Sequence, residues 1–130
     1  MTFKEELIEI LREELDLLKI INKLSHDKSE IIVNNQIEEL QETTKKEEEL
    51  ISKMSIAEDN RLALFYTWGV DKGTSLSEVI EKIPEDNKEL IKLWEELCLL
   101  LLDIQGINNL NSELIKENLE WLDFNMNLLT

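Results

Sequence analysis

Hydrophobic residues recur at helical spacing along almost the whole chain. Phe3, Leu7, Leu11, Leu15, Leu18 and Ile21 follow one another at gaps of 4, 4, 4, 3 and 3, the mark of one buried face on an α-helix. This predicts a first helix over about 2–33 with Thr2 as its N-cap. The pattern thins through Ser25, His26, Asp27, Lys28 and Ser29 and returns at Ile31 and Ile32, with no Gly or Pro to stop the helix between. Asn34 and Asn35 mark a turn, and Asn35 stands three residues before Glu38, the spacing of a capping box. A second helix is expected over about 36–68, through Ile37, Leu40, Ile51, Met54, Leu62, Phe65 and Trp68, with an apolar gap at Thr44 and Glu47. Gly69 supplies a left-handed stop at low steric cost. Ser75, with Glu78 as its box partner, caps a short helix over about 76–82 that carries Leu76, Val79 and Ile80. Pro84 breaks it, and suits the first turn of a last helix over about 85–130, where a missing N–H loses no partner.

That last segment contains no proline after Pro84 and a single glycine, Gly106. Its second half carries two apolar stripes. One runs Ile107, Leu110, Leu114, Trp121, Phe124 and Leu128, and the other Ile115, Leu119, Leu122, Met126 and Leu129. Asn111, Asn118 and Asn125 lie between them at steps of seven. Together the stripes cover roughly 200° of the helix surface, where a helix with one neighbour needs a little over 100°. Such a helix is expected to meet two things, the rest of its own fold and a partner. The asparagines read either as a polar device that fixes register in a seam or as amides lining a docking groove. Gly106 reads either as a surface glycine or as a hinge between a rigid and a responsive half.

The expected fold is therefore all-α, one domain over 1–130, an antiparallel bundle of three long helices plus one short crossing helix. Composition agrees, with 33% charged residues, few glycines and one proline. The formal net charge of −15, from 14 basic and 29 acidic side chains, repels phosphate backbones and argues against nucleic acid or an anionic membrane as partner. Charge is densest at Glu42, Lys45, Lys46, Glu47, Glu48 and Glu49, which reads as a solvated face, and Glu58 with Arg61 reads as a pair one turn apart. The longest continuous apolar run, Leu97 to Leu102, is far shorter than the ~20 residues of a membrane span. The N-terminal residues lack a basic stretch leading into an apolar one, so a cytoplasmic location without membrane insertion is expected.

Candidate chemistry is sparse. One cysteine, Cys98, excludes an intramolecular disulfide and a cysteine metal cluster, and its neighbours Leu97 and Leu99 suggest a packed thiol. A carboxylate-bridged di-iron site requires two Glu-x-x-His sequences, and the chain has one histidine, His26, with Lys23 three residues before it. No metal, cofactor or catalytic residue is expected. A lone histidine in an acidic helical bundle also suits a histidine phosphotransfer domain, but these carry Lys at the third position after the histidine and a small residue next. Here those positions hold Ser29 and Glu30. Trp68, Trp94 and Trp121 read as packing residues.

The order of motifs resembles the FlgN family of bacterial flagellar export chaperones across essentially the whole chain. The resemblance is carried by the first helix and the Asn-Asn turn, by Gln36-Ile-Glu-Glu-Leu40, Glu47-Glu48-Glu49-Leu50 and Glu58-x-x-Arg61, and by Leu76-x-x-Val79-Ile80. It continues through Asn108-x-x-Asn111 into Leu119-Glu120-Trp121-Leu122-Asp123-Phe124 and ends at Leu128-Leu129. The resemblance implies a helical bundle without enzymatic activity. It would bind the C-terminal helical segments of hook-filament junction proteins of the FlgK and FlgL type, prevent their premature assembly and deliver them to the type III export gate. It also implies that cargo meets the C-terminal amphipathic region, and it coincides there with the doubly striped half-helix. The expected partner-binding residues are Asn111, Ile115, Asn118, Leu119, Leu122, Asn125, Met126 and Leu129. Without cargo the same stripe is available for self-association, so a homo-oligomer is also expected. Two other readings stay open from the sequence, a structural coiled-coil or adaptor oligomer and a phosphotransfer domain using His26.

Overall fold

The computed structural model describes residues 1–118, with side chains as far as Ile115. Four α-helices occur among them, and no strand: α1 (Phe3–Val33), α2 (Ile37–Thr67), α3 (Leu76–Glu81) and α4 (Lys88–Asn118). The all-α bundle expected from the pattern is present. Its centre is α1. Both α2 and α4 pack along α1, whereas their own backbones do not approach one another, and α3 sits against α4. Residues near the start of α1 meet the end of α2, as where Phe3 stacks at 6.0 Å on Phe65 and at 5.6 Å, edge-on, on Trp68. This pair is antiparallel. Against α4 the pairing runs the other way, from Arg12 with Glu89 to Ser29 with Asn111, so α1 and α4 are parallel and the bundle is up-down-up.

The reason lies in the width of the α1 apolar face. Leu7, Leu11, Leu18 and Ile21 are fully enclosed, with Ile8 and Leu15 nearly so, and residues on either side of that line meet different neighbours. Met54, Leu64 and Phe65 of α2 and Leu90, Leu93, Leu97 and Ile104 of α4 join them in one main core, which Val79, Ile80 and Ile83 close at the α3 end. Leu62, expected in the α2 seam, is instead exposed, and Leu64 and Phe65 take the buried register. A second, smaller cluster of Ile32, Leu40 and Ile115 lies at the far end of the bundle.

The helix ends follow local chemistry. Thr2 accepts from the Glu5 N–H at 3.1 Å and Ser75 from the Glu78 N–H at 3.3 Å, as their cap positions predict. Gly69 takes the left-handed conformation, with φ of 70°. Its N–H bonds to the Tyr66 carbonyl and that of Val70 to Phe65, the paired closure of a Schellman stop. Asn35 does the same for α1. It adopts φ of 53°, while the N–H groups of Asn35 and Gln36 bond to Ile32 and Ile31. The turn is thus built as a C-terminal stop for α1, not as a capping box for α2, whose N-cap is Gln36 with no side-chain bond. Pro84 likewise lies outside α4. Asn87 donates to the Ile80 carbonyl at 3.1 Å, tying the connection to α3, and its own carbonyl accepts the Ile91 N–H, so the helix begins at Lys88.

One carboxyl in the main core is poorly partnered. Glu14 is 1% exposed, and Arg61 of α2 reaches toward it with Nε at 3.6 Å from Oε1, too far for a hydrogen bond. Arg61, expected to pair with Glu58 along its own helix, therefore points across to α1. Burial pushes the Glu14 carboxyl up to about 7; Arg61 opposes this, and Glu58 and Glu13 add to it. A carboxyl whose pKa rises on folding stabilises the fold below its unfolded pKa of 4.5, and that contribution is lost as pH climbs through about 7.

Two outcomes follow. Leu18→Ala, at a fully enclosed site of the main core, should cost about 2–5 kcal/mol in urea unfolding, whereas Leu62→Ala, at an exposed site, should change it by less than about 0.5 kcal/mol. Glu14→Gln should be more stable than the parent by about 1–3 kcal/mol at pH 8, with the difference shrinking toward zero at pH 4.5; equal differences at both pH values would place the Glu14 titration elsewhere.

Candidate partner-binding surface

Of the eight residues that the sequence marks for partner binding, the described structure places two. Asn111 is 2% exposed and Ile115 4%, both turned inward. Asn111 lies between α1 and α4, where its Nδ2 donates to the Ser25 carbonyl at 2.9 Å and its Oδ1 accepts from the Ser29 hydroxyl at 2.6 Å. Ile115 packs with Ile32 of α1 and Leu40 of α2. Neither presents a surface to a visitor here. Of the two roles the asparagine row allowed, the one visible at Asn111 is a seam contact that fixes the axial position of α4 on α1, since its amide satisfies both of its bonds only at this register. The side chain of Asn118 and all of Leu119, Leu122, Asn125, Met126 and Leu129 lie outside the described residues.

Around Asn111 the structure gathers polar groups that the sequence reading left on the surface. Lys28 and Glu47 form an ion pair at 2.7 Å with side chains 5% and 9% exposed, and Ser25 donates to the other Glu47 oxygen at 3.2 Å. Thr43 is buried beside them on α2. Glu47 therefore corrects the expectation of a wholly solvated charge run. The physical reason is register: one helical turn separates Thr43 from Glu47, and the next two lead to Leu50 and then Met54, so the inward line of α2 passes straight through the charged segment. The signal that could have found this layer was the coincidence of two gaps. The α1 pattern loses its apolar residues at Ser25 and Lys28, the α2 pattern at Thr43 and Glu47, and an antiparallel hairpin about the Asn-Asn turn brings those gaps opposite each other. The layer separates the main core from the Ile32, Leu40 and Ile115 cluster.

His26 lies on the solvent side of the same seam. Its Nε2 is 2.7 Å from Asp103 Oδ2, and Asn22 donates to that oxygen at 2.5 Å, so two α1 side chains hold α4 through one carboxylate. These hydrogen bonds, that of His26 foremost, keep Asp103 below the ordinary aspartate range. Among the described residues no group of three His, Cys, Asp or Glu side chains is placed to hold a metal ion, and no helix is long and apolar enough to cross a membrane. Cys98 is half-buried.

Two surface features remain. A groove of about 660 Å³ opens between the start of α1, the end of α2 and the α3 segment, with Phe3, Trp68, Val70 and Ile83 on its walls. Trp68 is held there by its contact with Phe3 and by an indole N–H bond to Glu6 at 3.3 Å. The other feature is the outward side of α4, where Leu99, Leu102 and Leu110 are exposed.

Compared with known proteins, the chain matches the model of one family, described as FlgN protein, over residues 1–130. No curated protein and no solved structure matches it. The match covers the full length, and the chain belongs to the FlgN family of flagellar export chaperones.

Proposed function

We propose that this protein is a cytoplasmic chaperone for hook-filament junction proteins of the FlgK and FlgL type, which holds their C-terminal helical segments before export and delivers them to the export gate. The observation that carries this reading is the family match over the whole chain, joined to an apolar pattern that continues beyond the seam. Asn111 and Ile115 are used inside the bundle, and the sequence then repeats the same spacing through Asn118, Leu119, Leu122, Asn125, Met126 and Leu129. These six residues are the proposed docking surface. Segments that coil together only in a finished filament expose sticky apolar faces until then, and a chaperone stripe at helical spacing meets such a segment in the helix-in-groove manner. The reading assigns the protein no reaction. Its work is to compete with aggregation by burying an apolar face reversibly.

Purified chain and a purified junction protein test this directly by calorimetry. Binding is expected with the intact partner and is expected to vanish when the partner's C-terminal segment is removed. Leu119→Asp combined with Leu122→Asp should weaken binding by about tenfold or more, two apolar anchors being replaced by charges, while the helical circular dichroism signal is kept. Unchanged affinity in that double variant would remove these residues from the site, and sedimentation of a permanent oligomer that never binds cargo would favour an adaptor role instead.

A further inference from the structure

We infer that Glu14 and Arg61 form an acid-tightened clasp in the seam between α1 and α2, which holds the last turns of α2 down while Glu14 carries its proton and lets them lift once it is ionised. Glu14 is 1% exposed, and its Oε1 takes no hydrogen bond among the described residues. Arg61 faces it from α2, and its Nε, equally enclosed, also lacks a hydrogen-bond partner there. The two atoms stand 3.6 Å apart. An ionised carboxylate in this place has a cation near it but no hydrogen bond at this oxygen, so the neutral acid is the form that costs less to enclose.

The charges that act on Glu14 come from the two helices of the seam. Burial has the largest effect and favours the neutral acid; Arg61 opposes it, and Glu58 of α2 and Glu13 of α1, both exposed, side with burial. The contacts of Arg12 with Glu89 and of Asn22 with Asp103 set the level of α4, which lays Leu90, Leu93 and Leu97 into the core along this stretch of α1. Its charged residues there turn elsewhere, Lys92 and Glu95 being exposed and Glu96 half-buried. The α3 segment adds Val79 and Ile80 to the core, with Glu78, Glu81 and Lys82 left exposed.

The fold confines the effect to α2. Among the described residues α1 is the one helix whose backbone approaches α2, so a weakened seam is not made good elsewhere. Leu64 and Phe65 follow Arg61 by one turn and are buried in the main core, where Phe65 stacks on Phe3 at 6.0 Å. α4 keeps its own hold on α1 through Asn22, His26 and Ser29, about two turns or more beyond Glu14. Ionisation of Glu14 therefore frees the end of α2 first. In the closed seam Glu14 titrates at about 7, against 4.5 once opened to water. Opening grows by up to about tenfold per pH unit between those values and levels off above them. The inference holds whether or not the segment after Asn118 takes junction proteins.

Native-state hydrogen exchange of the full chain between pH 5 and pH 8, corrected for the intrinsic pH dependence of amide exchange, tests this. Protection of the amides from Leu62 to Thr67 should fall by at least about tenfold across that range, while protection from Leu97 to Ile104 should change by less than about threefold. Glu14→Gln should give a flat profile in both segments. The pH at which the loss levels off should move up in Arg61→Gln, which removes the cation that favours ionisation, and down in Glu58→Gln, at an exposed site, which removes an opposing charge. Opposite shifts from two neighbours on one helix are the signature of a titration at Glu14 and do not arise from lost packing. A flat profile in the parent chain would overturn the proposal, as would equal losses in both segments or a pH dependence that survives in Glu14→Gln.

Discussion

Burial of α1 on two sides is the constraint on which the architecture rests. α2 and α4 do not support one another through their backbones, so each is held to the molecule by its seam with α1. The enclosed Leu7, Leu11, Leu18 and Ile21 lie where the two seams meet. A stripe at gaps of four and three supplies that width, because residues four apart drift around the helix one way and residues three apart the other. The result is a bundle with one shared spine, in which the outer faces of α2 and α4 are left to solvent or to other molecules.

Polar contacts then decide register, which leucines alone do poorly. Asn111 fixes α4 against Ser25 and Ser29, Lys28 and Glu47 fix α2, and the His26 and Asn22 bonds to Asp103 reinforce the first from outside. A buried ion pair of this kind contributes little net stability, because removing two charges from water offsets most of their attraction. Its effect is on which alignment is allowed: a slide of α2 by one turn would strand both charges in the apolar core. Glu14 marks the opposite case, a buried carboxyl whose cation stays at 3.6 Å.

Much of this was legible in the residues. The stripe of α1, the glycine stop at Gly69 and the serine cap at Ser75 follow from single-helix rules and appear where those rules put them. Three features needed knowledge of which helix faces which. The central place of α1 is a property of pairing, and two antiparallel orders of the same helices share one sequence pattern. Glu47 reads as surface beside Lys46 and Glu48 until Lys28 is known to lie opposite. Asn35 and Pro84 each had two compatible roles, C-terminal stop or N-cap and first helical turn or linker, and distant bonds such as that from Asn87 to the Ile80 carbonyl decided between them. For the candidate site, the stripes and the asparagine spacing were visible, but which stripe faced inward was not. Asn111 and Ile115 went to the seam because the gap left by Ser25 and Ser29 accepts an amide, and Ile32 with Leu40 accepts an isoleucine.

The polar layer has a mechanical consequence. It interrupts the continuity of apolar contact, so that beyond it, among the described residues, Ile32, Leu40 and Ile115 form a separate small cluster with Ile31 and Leu114 beside them. Cooperative melting depends on uninterrupted packing, and a break in it allows one end to fray while the remainder stays folded. The contacts of Ile115 with Ile32 and Leu40 can thus open without dismantling the spine that α1 provides on the other side of the layer.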